Sequence, residues 1–404
     1  MPSVTRNTLI LLCLLIAGLS AQNNFDANSD YFERGRFSLV SSGVMTPLKG
    51  YRPLPSRTIA VNPQKIIPGA VLYIPQLAGA KLTDGSVHDG YFFAHALMSA
   101  DGNNELAVYR WQGVKPLPGK VTVFRVYGVM EKAARTRFEL SYRVNRPKPV
   151  YEMVAGDLDT LLRSRNKKIK KLSERIEYYS ALGKGTPYAI YNLGEGADAP
   201  IDPDPTIDLA RVDCMTFCEN TLAMSLADSY KAMYDSLQNI RYKNGTIEYT
   251  HRNHYTIADW LPNNSRFLYD ATGEIGGNKL KPMTKTIDRP GFYKKAGVPD
   301  SIVARAAGRE TLTVHYIPTA ALKSIIPRLK GGEIVSIVST FPGIVSAHMG
   351  IVVRDEWGNV TFRHASSSKS THEVTDVRFE DYVDMLSRSK TRVGMIFMRV
   401  REHS

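Results

Sequence analysis

The order of apolar and polar residues divides the chain into two regions with different periodicities. Between residues 56 and 146, short apolar runs are separated by glycine and proline, which predicts the strands and turns of a small β-barrel. From about residue 151 leucine and isoleucine recur every three or four positions, which predicts helices. Strand-like apolar runs return in the last third of the chain. The pattern therefore predicts an α+β protein with a β-barrel ahead of a mixed domain.

The boundaries of these regions follow from the same pattern. Residues 22–55 are polar and interrupted by Gly and Pro, so we interpret them as an N-terminal arm. Arg146-Pro147-Lys148-Pro149 has the composition of a linker, and the second domain covers 151–404. The predicted barrel strands are Thr58–Val61, Val71–Ile74, Leu106–Trp111, Val121–Tyr127 and Phe138–Val144.

The first residues have the layout of a secretory signal peptide. Arg6 precedes the apolar run Leu9–Ala17, and the small residues Gly18–Ala21 follow it, so we expect a leader over 1–21. The run is too short to span a bilayer, and no later stretch approaches 18 apolar residues. We therefore expect an exported protein, periplasmic or extracellular, with no integral membrane span after cleavage.

Composition narrows the class of protein. With 43% hydrophobic and 23% charged residues among 404, the chain is neither largely disordered nor a multi-span membrane protein. Three cysteines exclude a disulfide-stapled scaffold. A formal net charge of +13 favours a polyanionic partner. Export argues against nucleic acid and favours an envelope or extracellular target. The sequence gives no prediction of oligomeric state.

One cysteine lies at a predicted helix start. Asp213 has the side chain of an N-cap residue, and Cys214 follows it at the positive end of the helix dipole. We therefore expect the pKa of Cys214 to fall and its thiolate to act as a nucleophile. Cys218 should be buried, and buried packing remains the alternative for Cys214 as well. The helix is predicted from an apolar stripe of Met215, Cys218, Leu222, Leu226, Met233 and Leu237.

Two histidines in the last third of the chain could serve this cysteine. The strand-like runs Ala347–Val353 and Val360–Ser366 flank the turn Asp355–Asn359, which predicts a hairpin. In that hairpin His348 and His364 would face each other. One would accept the thiol proton, and the other would orient the imidazole of the first. The alternative is that each histidine is a structural residue.

These residues belong to a set of motifs that together resemble a known family. Across about 175–400 the chain resembles the N-acetylmuramoyl-L-alanine amidase-like branch of the NlpC-type superfamily of papain-like cell-wall hydrolases. The matching motifs are Gly185-Thr186-Pro187-Tyr188, Asp213-Cys214-x-Thr216-Phe217-x-Glu219-Asn220, Arg252-x-His254-Tyr255, Asp259-Trp260, Tyr316-Ile317-Pro318, Gly332-Glu333-Ile334, and His364-Ala365-Ser366.

The resemblance implies a reaction and a set of roles. Cys214 would be the nucleophile, His348 the base and His364 the orienting residue, acting on the amide between N-acetylmuramic acid and L-alanine. The partner would be peptidoglycan or muropeptides, with no cofactor. The chain departs from the branch by one residue inserted between Tyr255 and Asp259, and by Glu333 in place of Asp. The implied substrate-binding residues are Tyr188, Asp213, Arg252, His254, Tyr255, Asp259 and Trp260.

The predicted barrel resembles a different wall-associated module. The runs Thr58–Pro63 and Ile67–Ile74 resemble the three-aspartate double-psi barrel of lytic transglycosylases. Ala96 and Ala107 occupy the places of two family aspartates, so the carboxylates that would protonate a glycosidic oxygen are missing. We therefore expect a barrel that binds glycan, or merely packs, without cleaving it.

Three alternatives remain open. His251 and His254 suggest a metal site, but no third ligand is nearby, so we predict none. A related hydrolase could instead cut the stem peptide between D-glutamate and diaminopimelate. A non-catalytic wall-binding protein could use the basic charge and the barrel alone.

Overall fold

The structure is a computed structural model that describes residues 31–98, 104–142, 148–304, 306, 308–368 and 371–402. The chain divides into two compact units between Arg146 and Pro147. The expected leader and the beginning of the expected arm lie outside the described residues. None of the described helices combines the length and the apolar character that a bilayer crossing requires.

The first unit contains a closed β-barrel. Six strands form a ring in the order β5-β3-β6-β1-β7-β4, and β4 pairs back to β5. The β1–β6 and β3–β5 pairs are parallel and the others are antiparallel. The predicted barrel is thus confirmed. Its elements are β1 Tyr31–Ser42, β2 Thr46–Pro47, β3 Thr58–Val61, β4 Val71–Lys81, β5 Val87–Leu97, β6 Glu105–Tyr109, β7 Lys120–Val126 and helix α1 Gly128–Tyr142.

Two expectations for this unit are wrong. Part of the expected arm is barrel strand β1, because Phe37 and Leu39 alternate with polar residues and are buried in the barrel core. The strand expected from Phe138 to Val144 is also wrong, because helix α1 continues to Tyr142, and Val144 lies outside the described residues. Met130, Ala134 and Phe138 are spaced four apart and share one apolar cluster, as a helix places them. The segment from Phe138 to Val144 is too short to show this four-residue spacing, because Met130 and Ala134 precede it.

The second unit is a mixed α/β fold. Its strands are β8 Leu268–Asp270, β9 Lys281–Asp288, β10 Arg309–Pro318, β11 Ile334–Ser339, β12 Ser346–Arg354, β13 Val360–Ala365, β14 Val374–Arg378 and β15 Arg392–Val400. Its helices are α2 Ala155–Lys168, α3 Leu172–Leu182, α4 Cys214–Leu226, α5 Tyr230–Arg241, α6 Leu261–Asn263, α7 Thr272–Gly276, α8 Arg289–Lys295, α9 Asp300–Val303, α10 Thr319–Leu322 and α11 Phe379–Ser387. Short turns of other helix types cover Val150–Glu152, Lys243–Gly245, Tyr249–His251, Thr256–Trp260, Gly277–Lys279 and Lys323–Arg328.

An antiparallel sheet in the order β14-β13-β12-β11-β15-β10-β9 organises this unit, with β8 paired to β15. Met398 and Ile351 point from it into a core shared with α4. Phe397 points the other way and contacts Phe379 of α11. Because successive residues of a strand face opposite sides, α4 and α11 cover opposite faces of the sheet.

The helical segments end earlier than the periodicity predicts. Leu158, Leu162, Leu172 and Ile176 are buried, but the chain turns between them, so that α2 ends at Lys168 and α3 begins at Leu172. The apolar stripe that follows Cys214 likewise continues across two helices, α4 and α5. The spacing of apolar residues predicted which residues are buried better than where each helix ends.

Candidate active site

The helix start predicted at Cys214 is confirmed. The Asp213 carboxylate accepts hydrogen bonds from the backbone N–H groups of Met215 at 2.9 Å and Thr216 at 2.7 Å. The Thr216 hydroxyl in turn accepts the Asp213 backbone N–H at 2.8 Å. Asp213 is therefore the N-cap and Cys214 the first helical residue. Cys218 is fully buried in the core, as predicted.

The predicted hairpin is also confirmed, and it brings the two histidines together. β12 and β13 pair antiparallel from Arg354↔Val360 to Ile351↔Arg363. His348 Nε2 lies 2.8 Å from His364 Nδ1, and both side chains are buried. The two rings stand nearly perpendicular. The imidazoles thus form a hydrogen-bonded pair at the end of the hairpin.

Cys214 meets β12 at the place where the hairpin opens. The backbone N–H and C=O of Val352 bond to Glu333 and Gly332, just before β11. Because the N–H groups of successive strand residues point in opposite directions, the N–H of Met349 points toward β13. The β12–β13 ladder stops at Ile351, and the Met349 amide instead acts on the Cys214 thiol. Met349 directly follows His348. The thiol therefore sits beside the backbone of the histidine pair.

Burial favours the neutral forms of the Cys214 thiol and of the two imidazoles. Burial, with the nearby Asp213 carboxylate, raises the pKa of Cys214 to about 12, although the amides of Met349, Cys214 and Met215 oppose that shift. The expectation of a lowered pKa at this helix start is wrong, because desolvation outweighs the helix-terminal amides. Among the hydrogen bonds of the described chain, none joins the Cys214 sulfur to either imidazole.

The histidines are shifted in the direction that keeps them neutral. Burial lowers the pKa of His348 well below its ordinary value, and the neighbouring His364 and Arg392 lower it further. Burial also lowers the pKa of His364 to about 4, although Asp376 raises it. Both imidazoles are therefore uncharged at neutral pH and can accept a proton.

A supporting layer behind His364 was not predicted from the sequence. Arg363, opposite Asp376 in the β13–β14 ladder, donates to both oxygens of its carboxylate at 2.7 and 3.0 Å. On the other side of the strand, Phe362 stacks on His364, and Tyr382 of α11 packs against both rings. Neither strand β14 nor helix α11, which follow the hairpin directly, was predicted from the sequence, so both Asp376 and Tyr382 were missed.

Tyr188 lies beside the thiol. It bridges in parallel to Val212, and its N–H donates to the His372 carbonyl oxygen at 2.9 Å. Burial raises the pKa of Tyr188 to about 12, with Cys214 as the next contributor. The loop that carries this tyrosine is thus held against the residues just before the helix start.

The other expected substrate-binding residues form a connected block. Arg252 makes ion pairs with Glu195 and Asp202. Asp259 pairs with Arg289 at 2.6 Å. The charged groups of Arg252 and Asp259 are thus already held in ion pairs within the protein, so both residues also stabilise the fold of this segment.

The rings of the same segment pack against neighbouring aromatic residues or lie in the core. His254 Nε2 lies 2.7 Å from the Tyr249 carbonyl oxygen, and both His254 and Tyr255 pack against Phe292. Trp260 is completely buried. Its expected place on the surface of a groove is corrected: Trp260 supports the segment from the protein core.

The two histidines of this segment are engaged separately. His251 Nδ1 lies 3.1 Å from Glu248, whereas His254 contacts the backbone of Tyr249. Over the described parts of the chain, no group of three or more His, Cys, Asp or Glu side chains could hold a metal ion.

Fold and site together define a mixed α/β protein with a half-buried thiol at a capped helix start, against the amide that follows one member of a histidine pair. Residues 178–389 match the family model described as AmiA-like, N-acetylmuramoyl-L-alanine amidase-like. Because this match spans more than half of the chain, the chain belongs to that family of amidase-like peptidoglycan hydrolases.

Solved structures also resemble this chain. A Legionella pneumophila protein of the DUF1460 family is 26% identical over 62% of this chain and 95% of its own, with a TM-score of 0.55. An N-acetylmuramoyl-L-alanine amidase from Bacteroides uniformis is 30% identical over 57% of this chain and 99% of its own, with a TM-score of 0.48. No curated protein matches the chain.

Proposed function

We propose that this protein is an exported, cysteine-dependent N-acetylmuramoyl-L-alanine amidase whose catalytic domain is of the papain-like NlpC type. One observation carries the proposal: Cys214, at a capped helix start, lies against the amide that follows His348, and His348 is bonded to His364. This neighbourhood supports roles for Cys214 as the thiol nucleophile, His348 as the base and His364 as the orienting group. The bond to be cleaved is the amide between N-acetylmuramic acid and L-alanine, for which the matching family is named.

The chemistry follows from these three side chains. The Cys214 sulfur attacks the lactyl carbonyl carbon while His348 takes the thiol proton. The backbone N–H of Cys214, which the Asp213 cap does not use, would stabilise the oxyanion, a contribution of about 3 kcal/mol per donor in other enzymes. The carbon–nitrogen bond then breaks, and protonated His348 gives its proton to the departing amine of L-alanine.

Water completes the cycle. His348 removes a proton from a water molecule, which attacks the thioester carbonyl. The carbon–sulfur bond breaks, and His348 returns its proton to the Cys214 sulfur. The lactyl carboxylic acid leaves and loses its own proton to solvent. Because thiol and imidazole are both neutral at rest, proton transfer accompanies attack rather than preceding it. His364 positions His348 throughout.

The substrate-binding set is proposed in two parts. Tyr188 and Asp213 flank the thiol and would face the reacting amide. Arg252, His254, Tyr255 and Asp259 would shape the groove, with the first and last of these held by Glu195 and Arg289. No cofactor or metal takes part in this reaction.

Defined muropeptides test the proposal. The wild-type protein should release a peptide that begins with a free L-alanine amine, identified by mass, whereas Cys214→Ala should release none. A matched Cys218→Ala variant should remain active, provided its melting temperature shows that it folds. Turnover by folded Cys214→Ala would refute the thiolate mechanism.

The same digestion separates the alternatives. A cut between D-glutamate and diaminopimelate would identify a stem-peptide endopeptidase. Retention on peptidoglycan without any product, together with an unreactive Cys214, would identify a wall-binding protein. Export is tested independently by cell fractionation of the full chain with and without residues 1–21.

We also propose that the barrel is a double-psi-like module that binds glycan without cleaving it. Ala60 lies opposite both Ala96 and Ala107 in the barrel ladders, and these alanines form one buried apolar cluster with Met45 and Met98 at its margin. Such a cluster offers no carboxylic acid to a glycosidic oxygen. Release of anhydro sugars from glycan strands by the Cys214→Ala protein would overturn this proposal.

A further inference from the structure

Arg392 lies at the end of the sheet that carries the histidine pair. β11 separates the strands concerned: Ile337 is opposite His348 on one side and Met395 on the other. Opposed residues point to the same face of a sheet. The side chains of His348 and Met395 therefore share one face.

A β-bulge brings Arg392 to that face. Val338 pairs with Gly394, but the next residue, Ser339, pairs with Arg392, so Val393 is an extra residue in β15. In a regular strand, residues three positions apart point to opposite faces of the sheet, so without the bulge the side chain of Arg392 would point away from the face of Met395. Bulges commonly redirect side chains beside active sites.

Among the described residues, no carboxylate pairs with Arg392. Its side chain is exposed, and in the described chain its guanidinium takes part in no hydrogen bond or ion pair. Arg363 and Arg399 of the same sheet, by contrast, are paired with Asp376 and Glu333.

The electrostatic influence of Arg392 reaches the reacting groups. It contributes, after burial, to lowering the pKa of His348 and of His364, and it opposes the raised pKa of Tyr382. The unpaired cation thus lies close enough to act on three side chains around the proposed site.

We propose that Arg392 is a specificity-determining residue that binds a free carboxylate of the peptide stem next to the scissile amide. This inference rests on the proposed function and deepens it. A guanidinium binds a carboxylate through two parallel hydrogen bonds, which a neutral amide cannot reproduce. In the stem, D-glutamate follows L-alanine and is joined onward through its side chain, which leaves its α-carboxylate free. One residue spans about 3.5 Å, so this group lies near the cleaved bond.

Binding of that carboxylate would also assist the reaction. A carboxylate on Arg392 offsets the positive charge that disfavours protonation of His348. The correct substrate therefore makes His348 a better proton acceptor at the moment of attack. A stem in which the same group is an amide would lack both effects.

A matched pair of muropeptides tests the inference, one with the free α-carboxylate and one with the carboxamide. The wild-type kcat/KM should favour the carboxylate by about tenfold or more, as expected for a hydrogen bond to a charged group. Arg392→Gln should reduce that preference to about one, and Arg392→Lys should keep part of it. Lys390→Gln removes the same charge two residues away and should keep the wild-type preference.

The controls separate the possible failures. An unchanged preference in Arg392→Gln, or an equal loss in Lys390→Gln, overturns the inference while leaving the amidase proposal intact. If the wild type cleaves neither compound, the amidase proposal fails. Affinities measured by calorimetry in the Cys214→Ala background then decide the inference: a carboxylate preference that disappears with Arg392→Gln supports it, and equal affinities overturn it.

Discussion

The Nε2 atom of His348 and the Nδ1 atom of His364 share one hydrogen bond of 2.8 Å. A neutral imidazole carries a single N–H, so one ring donates and the other accepts. If His348 is to take the thiol proton at Nδ1, it must carry its own proton at Nε2 and donate it to His364. His364 then holds its proton on Nε2. The pair therefore fixes which nitrogen of His348 is free to act as a base.

Removing the acceptor should lower activity without disturbing the fold. His364→Phe keeps a ring stacked on Phe362 but cannot accept the His348 proton, so we expect kcat to fall by about a hundredfold or more. His364→Asn, which retains an acceptor oxygen, should recover part of that loss. Steady-state kinetics on a defined muropeptide measure both. The exposed His315→Phe provides a matched control with wild-type kcat, and equal kcat for His364→Phe and wild type would remove His364 from the mechanism.

The raised pKa of Cys214 predicts an unusual pH dependence of alkylation. With a pKa of about 12, the thiolate fraction rises about tenfold per pH unit through the whole range from pH 7 to 10. The rate of Cys214 alkylation by iodoacetamide should rise with it and reach no plateau. Mass spectrometry of the modified peptide follows Cys214 separately from buried Cys218. A plateau near neutral pH would indicate a thiolate–imidazolium pair instead.

Asp213 has two roles that substitutions can separate: its side chain caps the helix, and its charge raises the pKa of Cys214. Asn caps helices as well as Asp does, so Asp213→Asn should keep the helix start while removing the charge that, after burial, raises the pKa of Cys214. Alkylation at pH 8 should therefore be faster than in the wild type. Asp213→Ala removes the same charge but loses the cap, and should lower the free energy of unfolding by about 1 kcal/mol. Unchanged alkylation in Asp213→Asn would show that the carboxylate does not act on the thiol.

Local features of the chain predicted the helix start at Cys214 and the strand pair that carries the two histidines. Asp213 followed by Cys214 ahead of an apolar stripe is enough to place a capped helix, and the turn at Asp355 is enough to pair the strands of His348 and His364. These signals depend on neighbours in sequence. They are therefore present before any tertiary contact forms.

The features that the sequence did not predict correctly depend on tertiary packing and strand register. The pKa of Cys214 rises because surrounding segments bury it, and no helix-start motif reports that burial. Trp260 is buried for the same reason. The half-polar strand β1 has few inward residues, and its partners are far along the chain. The bulge at Val393, which redirects Arg392, is a property of strand register rather than of composition.

The ion pair behind His364 should be a main contributor to stability. Arg363 has only 6% of its side chain exposed and depends on Asp376 for its charge partner. Asp376→Asn leaves that guanidinium without a carboxylate, so we expect the free energy of unfolding to fall by about 3 kcal/mol at pH 7. Lys184, which pairs with the same carboxylate at 2.8 Å, is about half exposed. Lys184→Gln should therefore cost less than about 1 kcal/mol.

The effect of Asp376→Asn should also depend on pH in a definite direction. Burial raises the pKa of Asp376, but Arg363 and Lys184 outweigh it and hold the pKa well below its ordinary value. Because the folded pKa lies below the unfolded value of about 3.9, the stabilisation is present above that pH and is lost as pH falls toward the folded pKa. Urea unfolding at pH 7, 5 and 3 should give similar differences between wild type and variant at the first two and a smaller one at the third. A difference that stays constant down to pH 3, or one that grows, would show that the carboxylate of Asp376 is not stabilised by these cations.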